Sequence, residues 1–168
     1  MGDVVLTRDD GQQQIRWIGH ATVRATGDFA PVRIRAGALH NVNDLLVSPD
    51  HRLFIYQRSD ALGAGRSEVL VRARHLVNGD TVVREDGGFV DYYQLLFDDH
   101  QIIYAEGIAV ETLLVDTRTR SVLPTDLSRK LARSLAGHAQ SSHAQFEIGE
   151  NLLKHPDVTT LLKRASTR

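Results

Sequence analysis

Residues 2–115 alternate short apolar segments with turn signals, and this pattern limits the fold more than any other feature. In the segment QQQIRWIGHATVRAT, for example, Ile15, Trp17 and Val23 stand at alternating positions, with polar residues between them. Side chains of a strand point alternately to its two faces, so this period indicates a half-buried strand. Many such segments, separated by Asp-Asp-Gly and Gly-Gly turns, predict a mainly β, antiparallel domain over residues 1–115.

The chain changes character after that domain, and residues 116–168 are predicted to form a helical C-terminal extension. Three leucines of the segment 125–137 recur at every fourth position and would share one helix face: Leu127, Leu131 and Leu135. A second amphipathic stretch covers 141–155, and a short helix opened by a proline is predicted over 156–165. These modestly apolar helices are expected to pack on the β domain.

Parts of the β domain resemble each other, in the same order. GDVVLTRDDG at 2–11 is similar to GDTVVREDGG at 79–88, and LLVSPDHRLFI at 45–55 is similar to LLFDDHQIIY at 95–104. Each copy places an acidic glycine turn before a strand that begins with an Asp-His pair. The pattern predicts a duplicated β unit with loops of unequal length.

Charge and composition narrow the choice of partners. The 20 basic and 21 acidic side chains nearly balance, and no aromatic residues interleave with basic clusters, so no nucleic-acid partner is predicted. No apolar run is long enough to predict a membrane span. The absence of cysteine excludes disulfides and thiolate chemistry within these 168 residues.

Ser48, His51 and His100 are the candidates for chemistry. The Ser-x-x-His spacing puts a hydroxyl and an imidazole within one turn at the start of a strand, and Pro49 makes that corner rigid. A hydroxyl can hold a peptide group by hydrogen bonds, and an imidazole can give a proton to a departing amine. His100 follows two acidic residues that could orient its ring. Each pattern also fits a simple turn between strands.

Other kinds of site have weaker support. His51, His75 and His100 could bind zinc, but no two of them are closely spaced and no cysteine adds a ligand. We therefore predict neither a metal nor any other cofactor. A serine hydrolase is not predicted either, because the chain contains no strand–turn–helix Gly-x-Ser-x-Gly motif.

Taken in order, the motifs resemble those of the Hint (hedgehog/intein) superfamily. LLVSPDHRLFI resembles the internal motif, in which Thr-x-x-His sits just before a strand. YYQLLFDDHQIIYAEGIAVET at 92–112 resembles the C-terminal motif, which runs from Tyr-Asp through a central His to a final His-Asn. The resemblance covers most of the chain and is strongest to bacterial Hint-type domains of secreted calcium-binding repeat proteins. It implies a pseudo-two-fold Hint-type β fold, an extracellular location and a host protein that is secreted.

The resemblance also implies self-processing. In the family, a Cys or Ser at the first residue attacks the preceding carbonyl and converts a peptide bond into a thioester or ester. By position, Ser48 takes the role of the Thr that grips the scissile peptide, His51 the role of the proton donor, and His100 the role of the histidine in the C-terminal motif. The expected activity is autocatalytic rearrangement or N-terminal cleavage, and the expected partners are flanking segments of the same polypeptide.

The sequence departs from the family pattern in three places. No nucleophile precedes Gly2, so we expect an N-terminally truncated domain that is inactive by itself. Gln94 stands where the family has an acidic residue, and Glu111-Thr112 stands in place of His-Asn. Without that Asn, side-chain cyclisation and full splicing are not predicted. The alternative is a decayed, non-enzymatic Hint scaffold that serves as a folding or interaction module of a larger secreted protein.

Overall fold

The computed structural model of the chain describes residues 2–114, 129, 143–154 and 157–166. The boundary predicted at 115–116 and, apart from Arg129, the helix predicted over 125–137 lie outside these residues. The described residues form a mainly β fold, as predicted. Its strands are β1 (Val4–Leu6), β2 (Gln12–Gln14), β3 (Trp17–Arg24), β4 (Val32–Ile34), β5 (Leu45–Val47), β6 (Arg52–Tyr56), β7 (Glu68–Arg72), β8 (Val82–Arg84), β9 (Phe89–Leu96), β10 (Ile102–Ala105) and β11 (Ile108–Glu111).

The strands pair antiparallel in four groups: β1–β2, β3–β9, β5–β4–β8 and β10–β11–β6–β7. The segment predicted as one strand, residues 12–26, is divided between β2 and β3. The reason is a change of pairing partner, because Gln14 faces Val4 of β1 whereas Trp17 faces Leu96 of β9. The period of two continues through the break, and Ile15 and Ala25 are both buried.

The duplicated segments occupy related places in the fold. β3 and β9 each come after one of the two Gly-Asp strands, β1 and β8, and they pair along all eight residues. An antiparallel pair relates its strands by a local two-fold axis, which agrees with a pseudo-two-fold Hint-type fold. The two Asp-His segments both lead into the four-stranded sheet, where hairpin β6–β7 and hairpin β10–β11 lie side by side.

The main core lies between the four-stranded sheet and the β5–β4–β8 sheet. Apolar side chains of both sheets are buried in it, including Ile34, Leu53, Val69 and Val82, which are fully inaccessible. Strands β6 and β7 are continuous apolar runs, and the three middle residues of each strand are all buried. The strand that begins at Arg52 is therefore buried on both of its faces.

The C-terminal extension completes this core. Helix α1 (Val158–Ser166) buries Val158, Leu162 and Ala165, which share one face at a helical spacing. Asp157 accepts a hydrogen bond from the Thr160 backbone N–H at 3.3 Å and caps the helix start. The third predicted helix is thereby confirmed. No helix within the described ranges is both long and apolar enough to cross a membrane.

The second predicted helical stretch is replaced by two short 3-10 segments, His143–Phe146 and Glu150–Leu153. The helix is interrupted because Glu147 forms a parallel bridge with Leu70 of β7, and the Ile148 N–H donates to the Leu70 carbonyl at 3.3 Å. The segment therefore runs along the edge of the four-stranded sheet.

Candidate functional site

Sheet geometry brings the two Asp-His segments together. β11 lies between β6 and β10 and is antiparallel to both, so its last residue, Glu111, lies beside the first residues of both neighbours. His51 immediately precedes β6, and His100 lies two residues before β10. The duplicated segments thus place both histidines at one end of the sheet, around Glu111.

Ser48 and His51 form the two ends of one turn. The His51 N–H donates to the Ser48 carbonyl at 3.0 Å, and Pro49 between them is buried. The turn is fastened to the next part of the chain, because Ala73 N–H donates to the His51 carbonyl at 2.9 Å and Arg74 N–H donates to the Pro49 carbonyl at 2.9 Å. These bonds hold the His51 backbone in place, and its ring lies on the side of the turn that faces Glu111.

The surroundings of the His51 imidazole favour its neutral form near neutral pH. Its Nε2 is buried and has no hydrogen-bond partner among the described residues. Burial lowers the pKa of His51, a hydrogen bond to the Glu111 backbone acts in the opposite direction, and the Arg52 charge lowers it further. A neutral ring can accept a proton and pass it on.

Glu111 is the buried acid at the centre of the site. Its side chain is 7% exposed, and burial raises its pKa to about 7 even though Arg52 opposes the shift. Arg52 Nε donates to one carboxylate oxygen, and the other, Oε1, lies 3.6 Å from His100 Nε2. Glu111 can therefore gain or lose a proton in the physiological range. The sequence alone shows Glu111 only as a departure from the family pattern.

Two arginines connect this site to the C-terminal segment. Glu147 accepts from Arg72 Nε at 2.8 Å and from an Arg52 guanidinium nitrogen at 3.3 Å. Burial would raise the pKa of Glu147, but the bonds and charges of the two arginines hold it below its ordinary value. Arg72 thus takes part in an ion-pair network with Glu147 and Arg52.

A second histidine faces His100. His143 Nδ1 lies 3.2 Å from His100 Nδ1, and His143 Nε2 lies 3.4 Å from an Asp9 carboxylate oxygen. Burial lowers the pKa of His143, whereas the Asp9 charge and hydrogen bond raise it. No sequence pattern indicates this pair, because none specifies which part of the β domain the segment around His143 contacts.

Comparison with known proteins assigns the family. A model of the Hint domain matches residues 1–117. The chain belongs to the Hint domain family. Neither the curated proteins nor the solved structures compared with the chain gave a match. The matched range of the Hint domain includes Ser48, His51, His100 and Glu111, whereas His143 and Glu147 lie beyond it.

The residues at which this Hint domain departs from the family pattern differ in their surroundings. Gln94 is exposed on β9, opposite Gly19. The Thr112 hydroxyl donates to the Gln101 carbonyl and accepts from the Gln101 N–H, both at 3.0 Å. Thr112 therefore pins the chain end of β11 to the segment that carries His100, and it offers no side-chain amide for cyclisation.

Proposed function

We propose that this Hint domain rearranges or cleaves the peptide bond at its N-terminal boundary autocatalytically. His51 carries the proton and Ser48 holds the scissile peptide. The observation that supports this role is the His51 Nε2 atom, which is buried and has no hydrogen-bond partner among the described residues. Leaving a buried polar atom unsatisfied costs about 1–3 kcal/mol, and such a cost is common where a substrate completes the site.

The proposed step needs a thiol or hydroxyl from the residue that opens the processing reaction. Its sulfur or oxygen bonds to the preceding carbonyl carbon, and the C–N bond of that peptide breaks. The proton of the nucleophile passes to neutral His51 and from there to the leaving nitrogen, so the products are a thioester or ester and a free amine. Water or an added thiol then releases the upstream segment.

Ser48 and His100 support this chemistry from either side. Ser48 is half-buried at the opposite end of the His51 turn, where a hydroxyl can bind the carbonyl or N–H of the peptide. His100 fixes the Glu111 side of the site, and the Glu111 carboxylate can take up a proton near neutral pH. Full splicing is not proposed, because Thr112 cannot form the cyclic imide that an asparagine forms.

A cleavage assay tests the proposal. The domain is expressed behind its own upstream coding sequence and a reporter protein, purified, and treated with a thiol. We expect thiol-dependent release of the reporter, seen on a gel, that His51→Ala abolishes and Ser48→Ala reduces. His20→Ala is the matched control, because His20 is an exposed histidine on β3, and it should cleave like the wild type.

The outcomes separate the two functions. Cleavage that persists in a folded His51→Ala protein would remove His51 from the reaction. No cleavage by the wild-type fusion, with a native far-ultraviolet spectrum, would favour the non-enzymatic scaffold. That scaffold would use the same fold as a folding or interaction module.

A further inference from the structure

The contact between His100 and His143 is the feature that self-processing does not use. His100 belongs to the Hint domain, and its side chain is fully buried, whereas His143 comes from the C-terminal segment and is 16% exposed. Their rings lie with centroids 5.1 Å apart and with the two Nδ1 atoms 3.2 Å apart. The pair joins two parts of the chain that are far apart in sequence.

The outer nitrogens of both rings face carboxylates. His143 Nε2 lies 3.4 Å from Asp9, and His100 Nε2 lies 3.6 Å from Glu111. A carboxylate favours the tautomer that carries the proton on the facing nitrogen. Both Nδ1 atoms then direct their lone pairs at each other. The two lone pairs repel each other unless a positive charge lies between them.

The spacing and the ligand types suit a metal cation. Zinc binds histidine nitrogens at about 2.0–2.1 Å in tetrahedral sites, which separates two such ligands by roughly 3.3 Å. The Nδ1 atoms are 3.2 Å apart, and one ligand atom each from His100, His143 and Glu111 lie within 4.8 Å of one another. Glu111 Oε1 is buried and has no hydrogen-bond partner among the described residues.

The nearby cations do not prevent a metal from binding, because each has its own anion. Arg8 pairs with Glu68 at 2.5 Å. Arg52 pairs with Glu111 through one carboxylate oxygen and with Glu147 at 3.3 Å. Arg8 Nε also lies 3.7 Å from Asp9 Oδ1, so the carboxylate oxygens that face the histidine pair are the second oxygens, Asp9 Oδ2 and Glu111 Oε1.

We propose that His100 and His143, with Glu111 beside them, form a binding site for a divalent transition-metal cation of the zinc class. The histidines supply the nitrogen ligands through Nδ1, Asp9 orients His143, and Glu111, which faces Nε2, orients His100. Because His143 lies beyond the matched Hint range, the ion fastens the C-terminal segment to the Hint domain.

Metal titration tests the site without any cleavage assay. The full chain is freed of metal with a chelator and titrated with Zn²⁺ by calorimetry, and with Co²⁺ by visible absorption, which is intense for tetrahedral coordination. We expect one tight equivalent, loss of that equivalent in His143→Ala, and an affinity lowered by roughly 10-fold in Asp9→Asn. His20→Ala is the control with one exposed histidine removed, and it should bind like the wild type.

A second readout follows the C-terminal segment. Saturating Zn²⁺ should slow proteolysis between residues 143 and 154 in the wild type and leave the rate unchanged in His143→Ala. Zinc binding that is unaltered by His143→Ala would place the ion elsewhere and overturn the site. The absence of a tight equivalent in the wild type would also overturn it and leave a shared proton as the cation between the rings.

Discussion

Glu111 should make the folded protein less stable as pH rises, and Glu111→Gln should remove this effect. Burial raises the pKa of Glu111 from 4.5 to about 7, so the folded state holds the proton more tightly than the unfolded state does. The free energy of unfolding therefore falls as pH rises from 4.5, and the fall ends above the folded pKa. Because a tenfold change in proton affinity corresponds to about 1.4 kcal/mol, the full effect is about 3 kcal/mol.

Urea unfolding at several pH values, in buffer with a chelator, measures this effect. Trp17 is the only tryptophan of the chain and is half-buried on β3, so its fluorescence reports unfolding. Between pH 5 and pH 8, the wild type should lose about 2–3 kcal/mol relative to Glu111→Gln. Other titrating groups, such as His51 and His143, are present in both proteins, so their contributions largely cancel in the difference.

The variant is expected to fold, because Arg52 keeps Glu147 as a partner at 3.3 Å when the Glu111 charge is removed. Glu106→Gln, which changes an exposed carboxylate on a turn, serves as the matched control and should give a curve parallel to that of the wild type. Parallel curves for the wild type and Glu111→Gln would refute the reasoning. They would mean that Arg52 compensates fully for the burial of the charge.

Two further predictions concern stability. The buried Asn41 amide donates to the carbonyls of Ile34, Arg35 and Asn43, so Asn41→Ala should lower the free energy of unfolding by about 3 kcal/mol. Asn43→Ala, at an exposed neighbour, should change it by less than about 1 kcal/mol. Equal losses for the two variants in urea unfolding would contradict this prediction. Leu162 is fully buried, so Leu162→Ala should lower the free energy of unfolding by about 3 kcal/mol in the same assay. The partly buried Leu161 is the control, and Leu161→Ala should lower it by less. A negligible change in Leu162→Ala would mean that α1 is not part of the main core.

Strands such as β3 could be predicted because the sequence shows a period of two directly, and β6 and β7 because they are apolar runs bounded by turn signals. The duplication also predicted that the two Asp-His segments are equivalent, and both lead into the same sheet beside Glu111. The break of the strand at Ile15 could not be predicted, because it depends on which strand lies next to it in space. Such pairing is a long-range choice that local pattern does not encode.

The roles of Glu111 and His143 in the site could not be predicted from the sequence. The sequence shows Glu111 only as a departure from the family pattern. Burial raises its pKa in spite of the Arg52 charge, and only the sheet register reveals that burial. The sequence predicts His143 only as part of the amphipathic stretch 141–155. His143 contacts His100 because the Glu147 backbone forms a parallel bridge with Leu70, which places the segment along the edge of the four-stranded sheet. This placement depends on tertiary contacts and not on local sequence.

The place of α1 in the core has a consequence for the order of events during synthesis. Its residues, 158–166, leave the ribosome well after residue 117, the end of the matched range. Translation proceeds at about 5–20 residues per second, so the interval is roughly 2–10 seconds. A reaction faster than this would occur in a domain whose core is still open at one side. A slower reaction would act on a domain that already holds α1 in its core, and the docking of α1 would then set the time of the cleavage proposed above.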